Sequence, residues 1–102
     1  MKITAKTSDA VLYLYLEGEL DEYNAAKVRE HVDKIIEQNL ACERVVFDLS
    51  GIKFMDSSGI GFLIGRYKKL RRSSTAAYIQ SPNAAADKIL SVSGIYTLIP
   101  RI

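Results

Sequence analysis

FMDSSGIGFLIGR, residues 54–66, lies between two different hydrophobic patterns. Before it, Arg44–Leu49 is a short and almost continuous apolar run, as in a strand buried in a parallel sheet. From Ile60 onward, apolar residues recur every three or four positions, which predicts one face of an α-helix. The segment therefore marks a junction between a strand and a helix, and it places an acid, two hydroxyls and a glycine at the start of that helix.

The same two patterns alternate along the rest of the chain. Runs of β-prone residues predict strands, and apolar spacings of three and four predict helices. Ser81-Pro82 has the hydroxyl and the proline that favour a helix start, and Gly94 suits a helix end. We expect the packed face of this helix to consist of Ala85, Ala86, Ile89, Leu90 and Val92. The expected elements are strands at Lys2–Thr7 and Val11–Leu16, a helix from about residue 22 onward, a strand at Arg44–Leu49, a helix after the Ser-Ser pair with Ile60, Leu63, Ile64, Tyr67 and Leu70 on its buried face, a strand at Thr75–Ile79, a helix that starts at Ser81-Pro82 and a strand at Tyr96–Ile99.

The order β-β-α-β-α-β-α-β predicts an α/β fold. Strands that alternate with helices form a mostly parallel sheet, and a hairpin of the first two strands makes this sheet mixed. We expect four or five strands and about three helices in a single domain over residues 1–102. Val11–Leu16 is apolar or aromatic on both faces, so it should be a central strand covered on both sides. Gly18–Asp21 and Met55–Gly61 follow strands at one edge of the sheet, so they should be neighbours.

Composition indicates a small soluble protein of the reducing cytoplasm. Apolar residues make up 48% of the chain, yet no apolar run reaches the roughly 20 residues of a membrane span. Cys42 is the single cysteine, which excludes an internal disulfide and a cysteine metal cluster. The basic cluster Arg66–Arg72 is typical of a solvated helix C-terminus. Because only Tyr67 interleaves this cluster and no nucleic-acid motif accompanies it, we expect no direct nucleic-acid partner. The lack of a long apolar run predicts no membrane partner.

The serines of the segment lack the neighbours that catalysis needs. A nucleophilic serine requires a base, but the only histidine, His31, is expected to face solvent midway along the first helix, and the Gly-x-Ser-x-Gly motif is absent. Ser58–Gly61 lacks the spacing of a P-loop or a dinucleotide-binding motif, so we expect Gly59, Gly61 and Gly65 to allow close packing of the helix on the sheet. A receiver-type phospho-aspartate would need a lysine in the fourth strand, which has none. We therefore expect no enzyme activity, no metal and no cofactor, while nucleotide binding stays open.

A serine at the start of a helix has two interpretations. Its hydroxyl can cap free backbone N–H groups, as Asp21 could for the first helix. The same N–H groups and the helix dipole also stabilise an added phosphate. A phosphoserine adds almost two negative charges, so a partner fitted to the neutral hydroxyl would bind far more weakly. Ser57 or Ser58 would then be a substrate for another enzyme.

Three motifs resemble a single known family. Phe54–Gly61 together with Leu63–Lys68 closely resembles the signature of the anti-sigma factor antagonists of the STAS domain family, above all their sporulation type. Gly18–Asp21 resembles the second signature of that family, and Leu90–Ile95 resembles the third. The likeness spans nearly the whole chain in the right order, so it is far more specific than Asp-Ser-Ser-Gly alone.

The resemblance implies partner switching. In this family the unphosphorylated antagonist binds an anti-sigma factor that is also a serine kinase, and a sigma factor is released. The kinase then phosphorylates the antagonist, which dissociates, and a PP2C-type phosphatase resets it. The phosphorylated residue corresponds to Ser57, with Ser58 as second choice. We expect the docking surface to consist of Asp21, Asp56, Ser58, Gly59, Ile60 and Gly61.

Two features depart from the pattern of the family. Members usually continue past the last strand into a C-terminal helix, whereas this chain stops at Ile102, and the turn Arg72–Ser74 lacks the glycines common there. We therefore expect a STAS domain in which one flank of the sheet is exposed. The alternative function is a stand-alone STAS-like domain that binds a nucleotide or another small ligand through Ser57 and Ser58.

Overall fold

The computed structural model describes all residues from Met1 to Ile102. It contains four strands and three helices, followed by a short 3-10 turn. No helix combines the length and the apolar character that a bilayer crossing requires. In chain order the elements are β1 Lys2–Ser8, β2 Val11–Leu20, α1 Ala25–Glu37, β3 Arg44–Met55, α2 Ser57–Arg72, β4 Ala76–Gln80, α3 Ala84–Ser93 and the 3-10 turn Ile95–Thr97.

The four strands form one mixed sheet in the order β1-β2-β3-β4. β1 and β2 are an antiparallel hairpin, whereas β2, β3 and β4 run parallel to one another. Parallel neighbours need crossover connections, which α1 and α2 provide. The predicted α/β fold with a mixed, mostly parallel sheet and a central β2 is therefore confirmed, with four strands.

One face of the sheet carries the hydrophobic core. Leu14 lies in register with Phe47, which lies in register with Ile79, and all three side chains are fully buried. α1 and α2 bring Val32 and Leu63 into the same cluster of 20 buried residues. Because full burial of such a side chain stabilises the fold by about 1.5–3 kcal/mol, this layer provides most of the stabilisation.

The opposite face is less covered than the sequence predicts. Tyr13 lies in register with Val46, Tyr15 lies in register with Asp48, and both tyrosines are only half-buried. Their rings stack with centroids 6.4 Å apart, and Lys6 Nζ lies 5.9 Å from the centre of the Tyr15 ring. The expectation that β2 is covered on both sides is therefore wrong for this face. Its tyrosines tolerate partial exposure because each ring can stack or contact a cation while the hydroxyl group stays hydrated.

A buried ion pair joins α1 to α2. Arg66 is only 6% exposed, and its Nε lies 2.7 Å from Asp33 Oδ1. The Nε–H does not point along this contact, so the contact is an ion pair rather than a hydrogen bond. Burial lowers the pKa of Arg66, and the Asp33 carboxylate opposes that shift. The sequence placed Arg66 in a solvated basic cluster, which is wrong for this residue because its position on α2 turns it towards α1.

The start of α3 lies further along the chain than the sequence predicts. The helix begins at Ala84 after Asn83, whose Oδ1 accepts a hydrogen bond from Ala86 N–H at 2.8 Å. Ser81 has a φ of +55°, which is the left-handed region, so it lacks the extended backbone of an N-cap residue. The predicted start at Ser81-Pro82 is therefore wrong, and an asparagine replaces the serine as the cap.

The predicted last strand, Tyr96–Ile99, is wrong. Gly94 ends α3 with a φ of +77°, and Thr97 N–H then donates to Gly94 O at 3.1 Å in a 3-10 turn. Ile95 and Ile99 are buried, whereas Thr97 between them is exposed. That burial follows a helical spacing of four and not the alternation of a strand, in which residues 95, 97 and 99 would share a face.

The C-terminal residues still extend the sheet by one bridge. Ile79 N–H donates to Pro100 O at 3.0 Å, and Ile102 N–H donates to Ile79 O at 2.9 Å. Arg101 forms an ion pair with Asp87 of α3, with Nη1 2.8 Å from Oδ1. The segment after α3 is thereby attached both to β4 and to α3.

Alkaline pH tests the attachment to α3. The Tyr96 hydroxyl donates to Asp87 Oδ1 at 2.6 Å, and burial together with this bond raises the pKa of Tyr96 from 10.0 to about 12. A raised pKa stabilises the folded state below pH 10, and this contribution is lost as the pH rises from 10.0 to about 12. We expect the free energy of unfolding to fall by about 1 kcal/mol over this range, since solvent screens the pair.

Thermal unfolding of the wild-type protein and of Tyr96→Phe between pH 9 and pH 12 measures this contribution. The Tyr96→Phe protein should lack the loss of stability between pH 10 and pH 12. The Tyr23→Phe protein, in which an 86% exposed tyrosine is changed, should show the same loss as the wild-type protein. An alkaline loss of equal size in the Tyr96→Phe protein would contradict the assignment.

Candidate functional site

The carboxyl ends of β2 and β3 bring two of the sequence motifs together. Leu20 lies in register with Met55, and Asp56 N–H donates to Leu20 O at 3.3 Å. Glu22 N–H donates to Asp56 Oδ2 at 3.3 Å. The expectation that Gly18–Asp21 and Met55–Gly61 are neighbours is therefore confirmed. β3 extends to Met55 rather than ending at Leu49, so strand backbone leads directly into the Asp-Ser-Ser-Gly segment.

Asp21 organises the turn before α1 and does not cap the helix. Its Oδ1 accepts hydrogen bonds from Tyr23 N–H at 3.0 Å and from Asn24 N–H at 3.2 Å. α1 begins at Ala25, and its N-cap residue Asn24 makes no capping bond because its Oδ1 already accepts from Asp21 N–H at 3.1 Å, while its side-chain N–H donates to Glu19 O. The prediction that Asp21 is the N-cap of α1 or lies in its first turn is wrong, because the helix begins about one turn later, at Ala25. Residues 21–24 instead form the turn that leads the chain from β2 into α1.

Asp56 caps α2. Its backbone is extended, with φ −114° and ψ −169°, and its Oδ1 accepts from Ser58 N–H at 2.8 Å. Both carboxylate oxygens are therefore bound to backbone N–H groups, one on α2 and one on the turn before α1. Ser57 is exposed, and its hydroxyl makes no hydrogen bond within the protein. Capping consequently does not explain Ser57, because the preceding aspartate already occupies the cap position.

Gly59 allows α2 to approach the end of β3. It is buried, and a Cβ built on it would lie 2.5 Å from Met55 Cγ and 3.4 Å from Leu20 Cδ2. A side chain at this position would displace Met55 and move the helix start. Gly61 and Gly65 differ, because a Cβ on either would meet nothing within 4 Å. The prediction of close helix packing is confirmed for Gly59 and is wrong for Gly61 and Gly65, which face an open groove beside α1.

A groove of about 510 Å³ lies beside Ser57, between the start of α2 and α3. Its walls are mostly apolar, and Val92 is 81% exposed although the sequence assigned it to the packed face of α3. The buried residues of α3 are Ala86 and Leu90, four positions apart, so Val92 lies off that stripe. If Asn83 is taken as the N-cap of α3, the spacing of Ala86 and Leu90 places Val92 away from the packed face, and this is the sequence signal that indicates the groove. The lining residues are Asp56, Ser57, Ile60, Lys88, Ile89, Val92 and Ser93.

The arrangement offers an exposed hydroxyl without a base. His31 is exposed on α1, as the sequence predicts, and no side chain of the chain donates to or accepts from Ser57 Oγ. Histidine, cysteine, aspartate and glutamate side chains form no group of three that could hold a metal ion. Ser57 is thus presented to solvent at the head of α2, between an acidic turn on one side and an apolar groove on the other.

Comparison with known proteins relates this geometry to named relatives. The chain is 33% identical to the anti-sigma F factor antagonist of Paenibacillus polymyxa over 100 residues, which are 98% of this chain and 85% of the relative. A solved structure of the anti-sigma factor antagonist SpoIIAA in its unphosphorylated form shares the fold with a TM-score of 0.80 and 22% identity, over 99% of this chain and 88% of that one.

A second structure shows the Bacillus cell fate determinant SpoIIAA in the phosphorylated form. It superposes with a TM-score of 0.71 and 22% identity, over 99% of this chain and 91% of that one. The sequence also matches the STAS domain over residues 2–102, which is almost its full length. The protein whose β-β-α-β-α-β-α fold presents Ser57 in this way therefore belongs to the STAS domain family.

Proposed function

We propose that the protein is an anti-sigma factor antagonist that is controlled by phosphorylation of Ser57. Its unphosphorylated form binds an anti-sigma factor with serine kinase activity, which frees a sigma factor. Phosphorylation by that kinase ends the complex, and a PP2C-type phosphatase restores the binding form. The observation that carries this proposal is the exposed Ser57 hydroxyl, which the fold uses neither as a cap nor as a nucleophile.

The position of Ser57 suits a phosphate acceptor. The residue is exposed at the first position of α2, so a phosphate can project into solvent without displacing core side chains. The free N–H groups and the dipole of the helix start favour the added negative charge. Asp56 keeps its hydrogen bonds to Ser58 N–H and Glu22 N–H in either state, so the loop does not depend on the Ser57 hydroxyl.

The surface around Ser57 provides the docking site in this proposal. Asp21 and Asp56 offer carboxylates at the carboxyl ends of β2 and β3, and Ser58 and Ile60 on the first turn of α2 are half-buried. Gly61 is exposed without a side chain, so a partner can approach the helix backbone there. Gly59 is buried and acts by positioning this turn rather than by touching the partner.

The named relatives support this choice of partner. The relative from Paenibacillus polymyxa is an anti-sigma F factor antagonist, and SpoIIAA has been observed with and without a phosphate. By analogy, the protein acts in the cytoplasm as a non-enzymatic binding module, and the sporulation branch fits best because its motifs resemble that type. The module binds proteins and needs neither a cofactor nor a metal ion of its own.

Phosphate mapping tests the acceptor residue. The wild-type protein is incubated with a cognate anti-sigma kinase and ATP, and the modified peptide is identified by mass spectrometry. We expect a single phosphate on Ser57 and complete loss of modification in Ser57→Ala, because the kinase requires that hydroxyl. Ser58→Ala is the matched control: it removes the adjacent hydroxyl but leaves the backbone bond from Ser58 N–H to Asp56, so modification should persist.

Two results would contradict this assignment. Undiminished modification of the Ser57→Ala protein would show that another residue accepts the phosphate. Modification that disappears in Ser58→Ala and survives in Ser57→Ala would move the switch to Ser58.

A further inference from the structure

A single cation lines the groove beside Ser57. Lys88 is exposed on α3 and shares the lining of this groove with Ser57. It belongs to none of the four ion pairs of the protein, and its ammonium group makes no side-chain hydrogen bond. Its charge is therefore free to pair with a group that is absent from the unmodified chain.

α3 holds Lys88 at a defined place. Asn83 caps the helix through Oδ1 and donates from Nδ2 to Ile52 O of β3 at 2.8 Å. Leu90 is fully buried in the core cluster, which fixes the helix against the sheet. The lysine thus extends from an anchored element, so its stem and ammonium group remain next to the groove.

Asp56 also lines this groove, but the other nearby carboxylates, Asp21 and Glu22, lie on the side of Ser57 that faces the turn before α1. Asp56 binds Ser58 N–H and Glu22 N–H, so its carboxylate is fixed towards α1. Glu22 itself is exposed in that turn, next to the Asp21 carboxylate. A phosphate on Ser57 would be repelled from this side and attracted towards α3, where Lys88 is the only cation in the groove lining.

We propose that Lys88 is the internal counter-ion of a phosphate on Ser57 and holds it over the apolar floor of the groove formed by Ile60, Ile89 and Val92. The inference rests on the proposed function in one respect, since it concerns the phosphorylated state. In that state a partner meets a covered groove as well as added charge, so the modification removes an apolar contact surface in addition to repelling the partner. Lys88 is a positioning residue in this proposal.

Phosphoserine introduced at position 57 during translation makes the test independent of any kinase. The second pKa of the phosphate is measured by ³¹P NMR in the wild-type background, in Lys88→Gln and in Lys68→Gln. Lys68 is the matched control, because it is an exposed lysine near the opposite end of the same helix that carries Ser57. Asp56 and Glu22 raise the phosphate pKa equally in all three proteins, so the comparison isolates Lys88.

We expect the phosphate pKa in the wild-type background to be lower than in Lys88→Gln by about half a unit, roughly threefold in proton affinity, as for an exposed ion pair. Lys68→Gln should match the wild-type background, and Lys88→Arg should retain the low value. The difference should shrink in 1 M salt, where the screening length is about 3 Å. Equal pKa values with lysine and glutamine at position 88 would overturn the proposal. A kinase that does not modify Ser57 would instead overturn the proposed function and would leave this measurement unaffected.

Discussion

Ser57→Asp is expected to weaken binding to the anti-sigma kinase by at least about a hundredfold while the domain stays folded. The carboxylate would be buried against a surface fitted to a small neutral hydroxyl, and an unpaired charge in an interface costs a few kcal/mol. Each 1.4 kcal/mol corresponds to a tenfold change in affinity, so about 3 kcal/mol gives the expected loss. Isothermal titration of the kinase with each variant measures the affinity directly.

The fold should be almost unaffected by the same change. Ser57 is exposed, its hydroxyl makes no hydrogen bond within the protein, and Asp56 rather than Ser57 caps α2. Surface substitutions of this kind change stability by about 0.5 kcal/mol or less. Thermal unfolding should therefore give nearly equal Tm values for Ser57→Asp and the wild-type protein.

Ser57→Asn separates charge from size. Asparagine has nearly the volume of aspartate without its charge, so we expect Ser57→Asn to retain most of the affinity that Ser57→Asp loses. If both variants weakened binding equally, the switch would depend on bulk at the helix head, and the electrostatic explanation would fail.

Those parts of the site that follow from local chemistry could be predicted from the sequence. Val45–Leu49 is apolar except for Asp48, and the apolar residues after Ser57 repeat at helical spacing, so the sequence predicts the junction between strand and helix. Parallel strand order then placed Gly18–Asp21 beside Met55–Gly61, as the register of Leu20 with Met55 confirms. The sequence does not show which of the adjacent residues Asp56, Ser57 and Ser58 caps α2, because aspartate and serine side chains can both do so. The backbone geometry assigns the cap to Asp56.

The errors arose where tertiary packing overrides a local signal. Ser81-Pro82 has the composition of a helix start, but the positive φ of Ser81 moves the start to Ala84. Residues 96–99 are β-prone, yet burial of Ile95 and Ile99 selects a 3-10 turn. The groove beside Ser57 was missed because its far wall belongs to α3, whose orientation depends on the bond from Asn83 to β3.

Arg66 is the clearest case, and its ion pair should have the largest effect on stability. We expect Asp33→Ala to lower the free energy of unfolding by about 3 kcal/mol, because it leaves the guanidinium buried without its counter-charge. For a domain of this size that is a fall in Tm on the order of 10–20 °C, measurable by thermal unfolding followed by circular dichroism. Glu37→Ala is the matched control, since its ion pair with Lys69 at 3.0 Å is largely exposed and should contribute less than about 1 kcal/mol.

The relative stabilities of three variants distinguish the cost of a buried charge from the cost of lost packing. The Asp33 side chain is 24% exposed and the Arg66 side chain 8%, so Arg66→Met leaves a carboxylate that is better hydrated than the cation left by Asp33→Ala. Arg66→Met should therefore destabilise less than Asp33→Ala. In the double variant Asp33→Leu with Arg66→Met neither charge is left, and apolar side chains of similar volume can fill the seam between α1 and α2, so most of the stability should return. A double variant less stable than Asp33→Ala would contradict this explanation. The uncompensated charge would then not cause the loss of stability in Asp33→Ala, and the Asp33–Arg66 ion pair would hold α1 against α2 through contacts that apolar side chains cannot replace.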